Sequence, residues 1–185
     1  MSDLKENYFK KIVPHMMERF GYKSPMAVPN IQKVVLNTGF GKMIVGKTGE
    51  EEKKIVEEIL ANVALIAGQR PLLTKAHASV SGFKLRKGLP IGAKATIRGN
   101  RMYDFLERLV KIVLPRSRDF QGIPPSSFDK HGNLTIGVKE HLFFPEIAPE
   151  KVHISFGLEI TVATNAKTKE ESVELFRLMG FPIKQ

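Results

Sequence analysis

The chain has no cysteine and no tryptophan, only three tyrosines among 185 residues, and not one aspartate or glutamate between Ala61 and Tyr103. Each absence excludes something. Without cysteine there is no disulfide framework and no thiolate metal site, which fits a reducing compartment. With so few tyrosines and no tryptophan, stacking of nucleobases on aromatic rings is not the expected mode of a nucleic-acid contact. No apolar run approaches the roughly 20 residues that span a bilayer. The opening stretch MSDLKENYFKK carries acidic residues and no apolar segment, which argues against a secretory signal or transit peptide. The expectation is a soluble, cytoplasmic protein.

What is present is a surplus of positive charge. Lys and Arg number 29 against 19 Asp and Glu, a formal net charge of +10, which favours a polyanionic partner, either nucleic acid or an anionic membrane surface. The surplus is local. The 43 residues from Ala61 to Tyr103 carry Arg70, Lys75, Lys84, Arg86, Lys87, Lys94, Arg98 and Arg101, while the rest of the chain is nearly balanced, with 21 basic and 19 acidic residues. Like charges repel, so a one-sign stretch of this length points to a surface that a polyanion neutralises. No helical segment is both strongly basic and strongly apolar-faced, which disfavours the membrane. At 42% hydrophobic content, residues 1–185 are expected to form a single domain with one core.

Periodicity gives the elements. Leu4, Tyr8, Ile12 and Met16 recur every four residues in a helix over about Asp3–Phe20, which Ser2 can cap, Pro14 should kink or split, and Gly21 ends. A strand is expected over Ile31–Asn37 and a helix over Glu50–Ala67, with three glutamates at its positive end and Gly68 after it. PLLTK and GAKATIRG read as short strands around a long segment, Ala76–Ile91, that is disordered or functional. A helix from Arg101 stops at Pro115. LTIGV and HISFGLEITVAT read as strands, and TKEESVELFRLMG as a capped helix closed by Gly180. The order implies an α+β fold, with helices covering one face of a sheet and the other face free to bind.

GKMIVGKT, Gly41 to Thr48, matches the phosphate loop of nucleotide hydrolases, G-x-x-x-x-G-K-[ST]. Three features oppose it. Ile44 and Val45 are β-branched and resist the turned-in backbone that cradles phosphate. Gly49 and three glutamates occupy the helix start that should receive the anion. None of Asp3, Asp104, Asp119 or Asp129 follows an apolar strand as a metal-holding aspartate would. The match reads as coincidence. TGFGKMIV shares Gly-Phe-Gly with an RNA-recognition octapeptide, but Lys42 and Val45 stand where aromatics belong. The five histidines lack metal-ligand spacing, Asp129 to Asn133 reads as a turn rather than a catalytic cluster, and Ser79 and Ser81 have no adjacent base. No catalytic residue, metal site or cofactor is expected.

Several segments taken together resemble one family. VVLNTGFG, IAGQRPLLTKA, SGFKLRKGLPIGAKATIRG, RMYDFLERL, LPRSRDFQGIPPSSFD, GNLTIGVKEHLFFPEI and ATNAKTKEES follow, in order, the pattern of the L-five family of bacterial-type large-subunit ribosomal proteins, from about Gly21 to Pro182. The resemblance implies a non-enzymatic protein that binds 5S rRNA in the central protuberance, with a curved, mostly antiparallel sheet that carries helices on its convex side and faces RNA with the other. It implies RNA contacts at Asn37, Gly39, Gln69, Arg70, Thr74, Lys94, Thr96 and Arg98. It further implies that the basic loop, with Ser79, Gly82, Lys84, Arg86, Lys87 and Gly88, projects toward tRNA in the peptidyl site. Neighbouring large-subunit rRNA and proteins, and a small-subunit protein met through an intersubunit bridge, complete the implied partners. His77 and Ala78 stand where the family usually has two basic residues, and Leu134 where it has tyrosine.

Overall fold

Two prolines set the shape of two helices. A helical proline cannot donate to the carbonyl four residues back, and its ring crowds that carbonyl. In the computed structural model, which describes residues 3–117 and 120–184, both helices meet this problem in the same way. The first runs as α1 (Asp3–Asn7), a π turn (Tyr8–Ile12) and α2 (Val13–Phe20), with Val13 N–H donating to Tyr8 O just before Pro14. The wider turn absorbs the proline, as a π bulge can. Gly21, at φ 68°, ends the helix by donating to Met17 O. The proposed cap, Ser2, lies outside the described residues.

The order of the middle elements follows the sequence pattern closely. β1 (Ile31–Gly39) extends two residues past the expected strand, then come α3 (Gly41–Ile44), α4 (Gly49–Ala67), β2 (Leu72–Lys75) and β3 (Pro90–Ile97). Next, α5 (Asn100–Arg108) passes through a π turn (Leu109–Val113) into α6 (Leu114–Arg116). Here the expectation is corrected, because Pro115 does not stop the helix. Leu114 N–H reaches back to Leu109 O, and the chain stays helical through Arg116. β4 (Leu134–Val138), β5 (Leu158–Thr164) and α7 (Lys169–Leu178) follow. Thr168 and Glu171 cap α7 reciprocally, Thr168 Oγ1 accepting from Glu171 N at 3.3 Å and Glu171 Oε2 from Thr168 N at 3.4 Å.

The strands form one open antiparallel sheet in the order β2-β3-β1-β5-β4, so the fold is α+β and β2 and β4 are its edges. Leu72 lies opposite Lys94 and Thr74 opposite Gly92 in the β2–β3 pair. Side chains alternate between faces with a period of two. Along β1, Val34, Leu36 and Thr38 are buried, while Asn37 and Gly39 are exposed.

The chain partitions into two compact units. The first comprises Met1–Val35, Ile97–Ile136 and Ile160–Gln185; its core includes Met16, Phe105, Leu109, Leu134, Ile160 and Phe176. Phe176 meets Phe128 and Phe181 edge-on at 5.6 and 5.0 Å. Within the same unit the buried carboxylate of Glu174 pairs with Arg19 at 2.5 Å, with Arg177 at 3.5 Å beside it, tying α7 to α2. The second unit comprises Leu36–Thr96 and Gly137–Glu159. Leu36, Phe40, Ile59, Val63, Ile66 and Phe144 make its core, and Val56 and Ala67 join Ile59, Val63 and Ile66 as the buried residues of α4.

One strand is shorter than expected. HISFGLEITVAT forms β-structure only from Leu158, because the backbone donors before it are taken by side chains rather than a ladder. His153 N and Ile154 N donate to Glu58 Oε1 at 2.8 and 3.2 Å, and Phe156 N donates to His141 Nδ1 at 3.4 Å. His141 is fully buried and stacks on Phe156 at 3.9 Å. Burial holds its pKa below the usual 6.5, against the opposing charges of Glu58 and Glu140. The folded state therefore binds a proton less readily than the unfolded chain. The contribution is fully present above pH 6.5 and is lost as pH falls from there through the lowered value. Urea midpoints of the wild type are expected to decline below about pH 6.5, and His141→Asn, which keeps an acceptor for Phe156 N–H, to show a flatter profile.

Candidate nucleic-acid interface

The open face of the second unit is built by alternation. β3 turns Ala93 and Ala95 into the core and leaves Lys94 exposed and Thr96 half-buried on the other side. Across the β2–β3 pair, Thr74 joins them opposite Gly92. Phe40 N donates to Ile91 O at 2.9 Å, and counting back from that contact puts Gly39 and Asn37 on the face of Gly92 and Lys94. The structure thus brings together Asn37, Gly39, Thr74, Lys94 and Thr96, five of the residues singled out from the sequence.

Gly92 was not among those residues, and it shapes this face. A Cβ there would lie 2.7 Å from both Thr38 O and Thr74 Oγ1. Only glycine lets the Thr74 hydroxyl lie across β3 beside the backbone of β1. The signal was available in principle, as a glycine inside a strand often marks close backbone approach.

The remaining residues have distinct placements. Gln69 is half-buried, and its Nε2 donates to Thr96 O at 2.8 Å, so this amide already pins the start of the connection after α4 to β3. One N–H and the carbonyl oxygen of Gln69 stay outside that bond. Arg70 is exposed next to it. Arg98 is exposed one residue past β3 and belongs to the first unit.

Ala76–Leu89 is an ordered hairpin extension. Ala76 N donates to Leu89 O, Gly88 N to Ala76 O, and Val80 and Leu85 exchange bonds at 3.0 and 3.1 Å. Ser79 Oγ accepts from Lys87 N at 2.9 Å, and Lys84 closes the Ser81–Phe83 turn with φ 51°. Gly88, at φ 88°, turns the chain back toward β3. Ser79, Gly82, Lys84, Arg86, Lys87 and Gly88 are all exposed on it. Among the described residues, none of the eight cations from Arg70 to Arg101 forms an ion pair with a carboxylate. Their charge is uncompensated within the described part of the molecule.

The phosphate-loop motif fails on geometry. Its amides are spent internally: Met43 N donates to Phe40 O, Val45 N to Gly41 O, Lys47 N to Ile44 O and Thr48 N to Glu51 Oε2. None of these four can turn toward a phosphate. Ile44 is buried, and Thr48 serves as the cap of α4 with Glu51. Phe40 of the octapeptide-like stretch is 1% exposed and cannot stack on a base. Asp129 likewise makes a turn, its Oδ1 accepting from His131 N at 2.8 Å and Asn133 N at 2.7 Å. Among the described residues no group of His, Asp or Glu is placed to hold a metal ion, and no helix is long and apolar enough to cross a membrane.

Residues 24–86 match the family model of ribosomal protein L5, and residues 90–183 match the model of the C-terminus of the same ribosomal family. The large ribosomal subunit protein uL5 of Halothermothrix orenii is 49% identical over 185 residues, covering 100% of both chains. Its counterparts in Thermoanaerobacter sp. and Dictyoglomus thermophilum are 48% identical over 182 residues, 98% of both chains, and 47% identical over 185 residues, 100% of both. A basic α+β chain with these matches is a structural, non-enzymatic protein of the large ribosomal subunit. It belongs to the ribosomal protein L5 family.

Gly92→Ala is expected to lower stability by roughly 1–3 kcal/mol through overpacking, read from the urea midpoint. Adding Thr74→Ala relieves only one of the two close approaches, since Thr38 O is backbone, so the double variant recovers only part of the stability.

Proposed function

We propose that this chain, acting as a single RNA-binding domain in the cytoplasmic ribosome, binds 5S rRNA in the central protuberance. Asn37, Gly39, Thr74, Lys94 and Thr96 lie along the RNA from the open face, with Gln69 and Arg70 beside them and Arg98 contributing from the first unit. Hydroxyl and amide groups contact phosphate oxygens or ribose hydroxyls, and the cations supply the salt-dependent part of the affinity. The basic hairpin, through Ser79, Gly82, Lys84, Arg86, Lys87 and Gly88, reaches toward tRNA in the peptidyl site. A further surface meets a small-subunit protein in an intersubunit bridge. The observation that carries this reading is the set of eight cations without carboxylate partners among the described residues, together with an exposed polar sheet face. Such a surface is stable when a polyanion covers it.

The test is a salt titration of full-length protein with 5S rRNA. Arg70→Ala/Arg98→Ala is expected to bind more weakly, with the dependence of log affinity on log salt shallower by roughly 0.7–0.9 for each phosphate deprived of its cation. Both side chains are exposed, so the variant keeps its fold. Lys47→Ala serves as control for the phosphate-loop reading and leaves affinity unchanged. Unaltered affinity in the double arginine variant would rule out these two contacts.

A further inference from the structure

The register of the β2–β3 pair slips at its end. Leu72, Leu73 and Thr74 stand opposite Lys94, Ala93 and Gly92, but Lys75 stands opposite Pro90, so Ile91 is left over as a bulge residue. Bulges at a sheet edge end regular pairing and re-aim side chains. This one lies where the edge strand passes into the basic hairpin, beside a surface depression of about 440 Å³ within the second unit. Thr74, Lys75, His77, Lys87 and Lys94 line it, and no carboxylate does.

Two hydrogen-bond donors of the lining are unspent. Among the described residues neither the Thr74 hydroxyl nor the His77 N–H donates to another group, whereas Ala76 between them uses its N–H on Leu89 O and its carbonyl on Gly88 N. A hydroxyl and a backbone N–H with three ammonium groups around them suit the oxygens of a phosphate. His77 is the odd member of the set, because histidine changes its charge within the physiological range. A like charge opposes the charged form of a titrating group and an opposite charge favours it. The elements around His77 bring Lys75 from β2, Lys94 from β3 and Lys87 from the hairpin, with no acidic residue among them. A proton on the imidazole thus meets no favourable partner in the free protein, and an arriving phosphate supplies one.

We propose that this depression seats one backbone phosphate of RNA and that His77 takes up a proton from solvent as the phosphate arrives, so that binding tightens as pH falls. The proposal rests on the reading that this chain binds RNA. Thr74 and Lys94 belong to the face given to 5S rRNA and Lys87 to the hairpin given to tRNA, so both RNAs serve as probes, and the one whose affinity follows pH is the source of the phosphate.

The experiment titrates the full-length chain with 5S rRNA and, separately, with deacylated tRNA between pH 8 and pH 6 at constant ionic strength. With the RNA that supplies the phosphate, the wild type is expected to bind roughly three- to tenfold more tightly at pH 6 than at pH 8. Calorimetry in buffers of different ionisation enthalpy is expected to record net proton uptake on binding. His77→Gln loses both the pH response and the uptake. His77→Arg carries a fixed charge and binds at pH 8 about as tightly as the wild type does at pH 6. Lys75→Ala keeps the pH response, with a dependence of log affinity on log salt shallower by roughly 0.7–0.9. Both His77 and Lys75 are exposed, and equal melting temperatures for wild type and variant at each pH confirm that the fold is intact. Wild-type affinity that ignores pH with both RNAs, or a His77→Gln variant that follows pH as the wild type does, would overturn the proposal. A wild type that binds neither RNA would instead sink the RNA-binding reading itself, a result distinct from either.

Discussion

The two-residue alternation along β1 and β3 is the constraint on which the other features depend. It sends Leu36, Thr38, Ala93 and Ala95 into the core and leaves Asn37, Gly39 and Lys94 in water. A slip of one residue in either strand would exchange the two sets, burying Lys94 and exposing Leu36. Core packing therefore enforces the open polar face: the register that fills the interior is the register that displays the polar groups. Gly92 adds a second lock, because only one alignment places a residue without a side chain under the Thr74 hydroxyl and Thr38 carbonyl.

Charge works on a different scale from packing. The acid-free stretch has no internal neutralisation among the described residues, while the acidic residues elsewhere have structural roles: Glu51 and Glu171 cap helices, Glu58 holds an extended segment, and Glu174 ties two helices together. These carboxylates stand where the fold uses them, and none stands in the stretch from Ala61 to Tyr103. The first unit holds the Glu174 cluster and the second holds most of the uncompensated cations.

Much of this was legible in the sequence because the signals were local. The extent of β4, the glycine ends of α2 and α4, the capping box of α7 and the Asp129 turn depend on residues within a few positions of one another. The failures came where a distant group intervened. His153 to Gly157 alternate like a strand, but Glu58, far away in sequence, takes the amides of His153 and Ile154. Pro115 should end a helix, but a π turn over Leu109–Val113 carries the helix past it. The bond from the Gln69 amide to Thr96 O was equally out of sight, since the two residues lie 27 positions apart. A groove lined by both Met43 and Phe83 was invisible for the same reason, since the two lie 40 positions apart in sequence.

The edge strand β2 is short, ends in Lys75 and adjoins the most cationic part of the chain. An unpaired strand edge is a template for joining to another copy, and lysine on it discourages that union. Mutual repulsion of identical basic rims keeps copies of the molecule apart in the same region that the proposed function gives to RNA. Protection against clumping and readiness for assembly therefore come from one distribution of lysines and arginines, and added salt, by screening it, weakens both together.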